Sequence, residues 1–161
     1  IRDPAIYLFD DAFSALDVHT DATVRARLRE VSVDATVIVV AQRISTIAEA
    51  DHIVVVDDGR VVGTALWFLN FSTWRGTHGI YLEDLFVQPD QRGRGLGREL
   101  LRTLAALCVE RGWSRLEWSV LDWNTPSIEF YRAAGAVPME DWTVFRLTDE
   151  ALTGFAAVDG G

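Results

Sequence analysis

The chain has 161 residues, enough to bury one sizeable core, and its 49% hydrophobic and 24% charged content is that of an ordinary globular protein. Its 24 acidic against 15 basic residues leave a formal charge of −9, which opposes binding to nucleic acid or to an anionic membrane and suits a cationic small molecule. No apolar run approaches the roughly 18 residues of a membrane span, and no charged–apolar–small leader opens the chain, so a cytoplasmic protein is expected.

In chain order, the pattern predicts a strand at Ile6–Phe9, a helix at Asp21–Val31 and a strand at Thr36–Val40. A short helix at Ser45–Glu49 and a strand at His52–Val56 come next. These strands are apolar runs without alternation, as in a buried parallel sheet. Asp58-Gly59 then makes a tight turn into a strand over Arg60–Leu69. Beyond it lie a strand at Ile80–Val87, a helix at Arg94–Arg111, a strand at Arg115–Val120, a helix at Thr125–Ala134, a strand at Trp142–Leu147 and a weaker helix at Glu150–Ala157. In the long helix Leu96, Leu100, Leu101, Leu104, Leu107 and Cys108 recur at helical spacing, which marks a core face, and Gly112 stops it. Cys108 is the single cysteine, so no disulfide framework exists and the residue reads as core.

Composition changes along the chain. All six tryptophans, Trp67, Trp74, Trp113, Trp118, Trp123 and Trp142, lie beyond residue 62, and every basic residue in the chain is arginine. The tryptophan break divides the chain into residues 1–62 and 63–161, two stretches of different character with no Pro/Ser linker between them. The chain opens at Ile1 rather than methionine, which points to a fragment or a composite.

The chemistry concentrates at Gln91-Arg92-Gly93-Arg94-Gly95-Leu96-Gly97, between a strand and the long amphipathic helix. A glycine-rich turn there exposes successive backbone N–H groups at a helix N-terminus, where the macrodipole also favours an anion. Such turns also arise for steric reasons alone. The dinucleotide fingerprint G-x-G-x-x-G is not matched, and without lysine no G-x-x-x-x-G-K-[ST] phosphate loop can form.

Arg92-x-x-Gly95-x-Gly97, after Tyr81-Leu82-Glu83-Asp84-Leu85-Phe86-Val87, resembles the acetyl-CoA motif of the GNAT N-acetyltransferase superfamily. The phrases Ile80–Asp84, Leu121–Asn124 and Ile128–Arg132 are similar to its diamine branch, the spermidine/spermine and thialysine N-acetyltransferases; Ser72-Thr73-Trp74 and Leu121–Asn124 are closer to the thialysine type. The resemblance covers roughly residues 60–155. It implies an α/β fold with a mixed sheet flanked by helices, a homodimer, and direct transfer of acetyl from acetyl-CoA to a small amine. No metal is implied.

The resemblance also assigns roles. Phe86 and Val87 would present backbone N–H groups to the thioester oxygen, and Arg92, Gly93, Arg94, Gly95, Leu96 and Gly97 would hold the pyrophosphate. Tyr131 matches the tyrosine that protonates the departing thiolate, and Asn124 matches a cofactor-orienting position. An alkylammonium near pKa 10 must lose a proton before it attacks; Glu83 could accept it through water while Asp84 holds the cation. Structural alternatives stand beside each role. Asn124, before Thr125-Pro126, is a good helix N-cap, Tyr131 beside Phe130 could be a half-buried aromatic, and Trp74 and Trp142 either line the amine site or fill core. Glu83 and Asp84 alternate along a strand, so only one is expected to face the site.

Residues 1–62 resemble something else. Asp3–Asp11 with Ser14-Ala-Leu-Asp17 is similar to the Walker B strand and D-loop of an ABC-transporter ATPase, and Val37–Arg43 and Ala50–Gly59 match the two succeeding segments of such a domain. Asp11 stands where a catalytic glutamate is usual, Gln42 where a switch histidine is usual, and the phosphate loop and LSGGQ signature are missing. Asp10 therefore reads as a strand-end acid without nucleotide chemistry. The expected organisation is an ATPase-like strand–helix–strand segment at 1–62 joined at the Asp58-Gly59 hairpin to an acetyltransferase core at 63–161. The alternatives are a catalytically silent chimera that still binds CoA, and, further off, a fragment of a transporter ATPase.

Overall fold

The computed structural model describes residues 4–10, 12–13, 16–41 and 50–157. Asp11, Ser14, Gln42 and the helix expected at Ser45–Glu49 lie outside the described residues. The chain divides into two compact units, Ile1–Ser119 and Val120–Gly161.

The first unit opens with β1 (Ile6–Asp10), α1 (Val18–Val31) and β2 (Thr36–Val40). Asp17 caps α1: its Oδ1 accepts from the Thr20 N–H at 3.0 Å and its Oδ2 from the Thr20 hydroxyl at 2.7 Å. The strands pair in parallel, Ile6 opposite Thr36 through Asp10 opposite Val40, as a helix crossover requires. The expected burial is not met. Ile6 and Leu8 are 60% and 67% exposed, and Val37, Ile38 and Val40 are exposed too. Among the described residues β1 and β2 form a two-stranded sheet of their own, apart from the sheet that carries the core.

The strand expected to extend that parallel sheet, β3 (His52–Asp57), instead pairs antiparallel with β4 (Arg60–Ser72). Asp58 and Gly59 both take positive φ, 48° and 71°, the two-residue turn whose twist suits a hairpin. β4 in turn pairs antiparallel with β5 (Thr77–Val87), which pairs in parallel with the two-residue β6 (Leu116–Glu117). The sheet order β3-β4-β5-β6 is thus mixed, as expected. Both β4 and β5 run longer than their apolar patterns because a turn at Ser72 closes them, with the Gly76 N–H on Ser72 O at 2.8 Å and the Arg75 N–H on Ser72 Oγ at 3.3 Å.

Helix α2 (Leu96–Glu110) covers this sheet, packing on β5 and β4. Its buried face is Leu100, Leu101, Thr103, Leu104, Leu107 and Cys108, set against Val62, Ala65 and Trp67 of β4 and Ile80 and Leu82 of β5. Each leucine, isoleucine or valine among them contributes about 1.5–3 kcal/mol on removal from water, so this layer anchors the unit. The helix begins two residues later than expected. Gly93 and Gly95 both have positive φ, 77° and 87°, which excludes them from a right-handed helix. It ends as expected: the Gly112 N–H reaches Val109 O at 3.2 Å and the Trp113 N–H reaches Cys108 O at 2.8 Å, the paired bonds of a glycine stop.

The second unit holds α3 (Thr125–Ala133) and α4 (Asp149–Ala156). Gly135, at φ 92°, stops α3 in the same manner, with its N–H on Arg132 O at 2.9 Å and the Ala136 N–H on Tyr131 O at 3.0 Å. The strand expected at Trp142–Leu147 is absent: these residues have no regular structure, and Trp142, Val144, Phe145 and Leu147 are exposed. A strand needs a ladder, and no described strand of the unit offers its edge.

Candidate active site

β5 and β6 pair only at Ile80–Leu116 and Tyr81–Glu117. Beyond Tyr81 no described strand pairs with that edge of β5, so six residues, Leu82 through Val87, present a row of main-chain donors and acceptors there. Phe86 and Val87 are the last of them. This is where the expected thioester-oxygen donors lie.

Just past the last ladder pair, the Tyr81 hydroxyl meets Ser119 Oγ at 3.0 Å, a side-chain bridge beyond the end of β6. Below it, Asn70 Nδ2 donates to Glu117 Oε1, which also pairs with Arg115 Nη2 at 3.1 Å. These contacts tie β4, β5 and β6 together at the end of that ladder. Gly79 permits the crossing, since a Cβ there would meet Arg115 Cγ at 2.6 Å and Asn70 Oδ1 at 2.9 Å.

The β4–β5 register changes the reading of the two carboxylates. Leu66 pairs with Asp84 and Trp67 with Leu82, so Glu83 is an extra residue on β5, a bulge. A bulge breaks the simple alternation of sides, and Glu83 and Asp84 are both exposed. The alternation that would have left one of them pointing away does not hold at this position.

After β5, a short 3-10 turn at Pro89–Gln91 leads into the glycine-rich stretch. Gly95 occupies the N-cap position of α2, and a Cβ at Gly93 or Gly95 would meet no heavy atom within 4 Å. The space over the turn is open and the N-terminal N–H groups of α2 face it, which fits a diphosphate. The arginines of the turn are held by the protein: Arg92 Nε donates to Val87 O at 3.0 Å, while Arg94 Nη1 reaches Asp57 Oδ2 at 3.4 Å and bonds Gln91 Oε1. Leu96 and Gly97 are half-buried in the first turn of the helix.

Trp74 is not brought to this region. It sits in the β4–β5 turn, 90% exposed, with about 33 Å of extended strand between that turn and Val87. It is not core, and neither is the exposed Trp142 of the second unit.

Within the second unit, Asn124 precedes α3 and its Oδ1 accepts from the Ser127 N–H at 3.4 Å, so the capping role is met. Tyr131 is half-buried on α3 with its ring 5.2 Å from that of Phe130. Burial pushes its phenol pKa above the ordinary value. The hydroxyl therefore keeps its proton at neutral pH and can donate it.

Two relationships could not be read from the sequence. The Tyr81–Ser119 and Asp57–Arg94 contacts join residues 38 and 37 positions apart, and no local pattern marks either pair.

A family comparison coincides with this geometry. The sequence model of the acetyltransferase (GNAT) family matches residues 19–136, and the chain belongs to that family. Among curated relatives, thialysine N-epsilon-acetyltransferase of Bos taurus is 40% identical over 95 residues, 57% of this chain and 55% of the relative. An uncharacterized ABC transporter ATP-binding protein of Mycobacterium bovis is 61% identical over 84 residues, 52% of this chain but 12% of the relative. Those two shares together exceed the whole chain, so the two likenesses overlap. The chain therefore spans about half of the acetyltransferase and a small part of the transporter protein. Among solved structures, an integron cassette protein from the mobile metagenome of V. cholerae superposes with a TM-score of 0.63 at 27% identity, covering 66% of this chain and 65% of that one.

Proposed function

We propose that the chain carries an acetyl-CoA site and that its chemistry is acetyl transfer to the primary amine of a small diamine or lysine-like molecule. The observation that carries this is the edge of β5 left without a described strand partner after Tyr81, with an open glycine turn at the N-terminus of α2. An extended arm containing amides can lie along the exposed β5 edge as a further strand would, while the turn takes the diphosphate. The activity for which the bovine relative is named, on thialysine, supports a lysine-like amine.

In this reading Glu83 takes a proton from the ammonium through water, and Asp84 holds the cationic end of the substrate. The freed nitrogen lone pair forms the C–N bond at the thioester carbonyl, whose oxygen is stabilised by N–H groups at Phe86 and Val87. The C–S bond then breaks, and the sulfur takes the Tyr131 proton. Arg92–Gly97 holds the diphosphate, and Asn124 orients the cosubstrate in addition to capping α3. Trp142 and Trp74 remain as candidates for the amine pocket, Trp74 only through a second copy in the homodimer that the same reading includes. The partner is a small cationic amine rather than nucleic acid or membrane, in the cytoplasm.

The β1–α1–β2 segment favours a second, restrictive reading. In the family the opening helices form a wall of the amine site, and here a parallel strand–helix–strand stands in that part of the sequence. We read the chain as a chimera, residues 1–62 and 63–161, that binds acetyl-CoA but acetylates weakly. Calorimetric titration with acetyl-CoA followed by a thiol-release assay over an amine panel tests both. No binding would sink the whole reading, and rapid turnover would sink the restriction. A transporter fragment is a weaker account, because the chain matches 12% of the transporter relative against 55% of the acetyltransferase.

A further inference from the structure

The tip of the β3–β4 hairpin is tied to the glycine turn by two crossed ion pairs. Arg94 Nη1 lies 3.4 Å from Asp57 Oδ2, and Arg60 Nη2 lies 3.7 Å from Asp90 Oδ2. Asp57 and Arg60 face each other across the hairpin, so one residue pair reaches both ends of the turn. All four side chains are more than half exposed, so both pairs exchange readily with water and ions. Arg92 is turned back onto the Val87 carbonyl through Nε. Arg94 is thus the cation that faces a fixed negative charge, at the place where a diphosphate is expected.

We propose that Asp57 is an affinity-determining residue of the turn, its carboxylate competing with an incoming diphosphate for Arg94. The inference rests on the acetyl-CoA reading. An anion at the turn must draw Arg94 away from Asp57 and then lie near that carboxylate, and both steps oppose binding. The tip of the β3–β4 hairpin thereby sets how tightly the glycine turn holds the cosubstrate. Removing the charge at residue 57 strengthens binding, whereas a residue that merely supported the turn would weaken it on removal.

The test is calorimetric titration of CoA into the full chain, wild type and Asp57→Asn, with Asp57→Ser as a second variant and circular dichroism confirming the fold of each. At about 20 mM salt the Asp57 variants bind CoA about two- to fivefold more tightly, the range open to one exposed charge beside an anion. The gain shrinks by about half or more in an Arg94→Gln background and at about 0.3 M salt, where screening reaches only a few ångströms. Equal or weaker CoA binding in both Asp57 variants overturns the proposal, as does a gain indifferent to Arg94. If the wild-type chain binds no CoA at all, the acetyl-CoA reading fails, and this inference with it.

Discussion

Tyr81 is the last residue of β5 whose backbone pairs with β6, and its partner there is Glu117, which the Asn70 amide and the Arg115 guanidinium also hold. The ladder between the two strands ends at a pinned point. Gly79 lies two residues before it, and a methyl group there would collide with the Arg115 side chain and with Asn70 Oδ1. Gly79→Ala is expected to destabilise the chain by about 1–3 kcal/mol, the usual cost of overpacking. Urea denaturation reads this directly, and an unchanged midpoint would show that Arg115 moves aside freely.

The glycine turn predicts a binding effect. Gly95→Asp sets a carboxylate against the diphosphate and should weaken CoA binding by more than about tenfold, or 1.4 kcal/mol. Gly95→Ala separates the charge from the backbone cost of a side chain at φ 87°. Wild-type affinity in the aspartate variant would remove the turn from the site.

Tyr131 predicts a kinetic one. If any amine is acetylated, Tyr131→Phe should lower kcat by about 10²–10⁴-fold with little change in CoA affinity, because the proton is needed only as the thiolate leaves. Equal rates in the two proteins would leave Tyr131 as a packing residue of α3.

Stability should fall in alkali. Burial pushes the Cys108 thiol and the Tyr131 phenol above their ordinary pKa values. As pH rises past about 8.5, the unfolded chain gives up the thiol proton while the folded chain keeps it, so ∂ΔG/∂pH is negative there. The contribution is complete below that range and is lost as pH climbs through the raised values. Thermal melts between pH 7 and 10 in Cys108→Ala should show a shallower decline than wild type. An identical slope would mean that the thiol titrates alike in both states.

The proposed chimera predicts a split between binding and turnover. CoA should bind, diamine acetylation should be weak, and restoring a family-type opening before Gly63 should raise the rate with little change in CoA affinity, since a misplacement of about 1 Å can cost on the order of 10²-fold. A rate within the ordinary enzymatic range of about 1–10³ per second in the present chain would refute this. ATP–Mg²⁺ should neither bind at micromolar concentration nor be hydrolysed, and a saturable ATP isotherm abolished by Asp10→Asn would show that the opening strand serves a nucleotide.

Much of this was legible because local chemistry decided it. The leucine stripe of α2 declares a buried face, Asp58-Gly59 declares a hairpin, and Gly112 a helix stop. What stayed hidden depends on partners. Apolar runs at Ile6–Asp10 and Thr36–Val40 announce strands, yet nothing in them says that their sheet has two members among the described residues. The run at Trp142–Leu147 has strand-forming residues and no ladder to join. Likewise the motif around Glu83 names two carboxylates, but the bulge that breaks their alternation is a property of the register with β4, visible only once both strands are laid side by side.

The isolated β1–β2 pair has a consequence for how the chain holds together over time. Two parallel strands with exposed apolar side chains have little burial to offset the entropy of ordering them, so they open at a small fraction of the free energy needed to open the layer around Ile80 and Leu104. Amide protons of Tyr7–Phe9 and Val37–Val39 should exchange with deuterium far ahead of those in β4 and α2. At raised concentration the same open edges are templates for strands of other copies, and self-association should nucleate there before the layer around Ile80 and Leu104 unfolds.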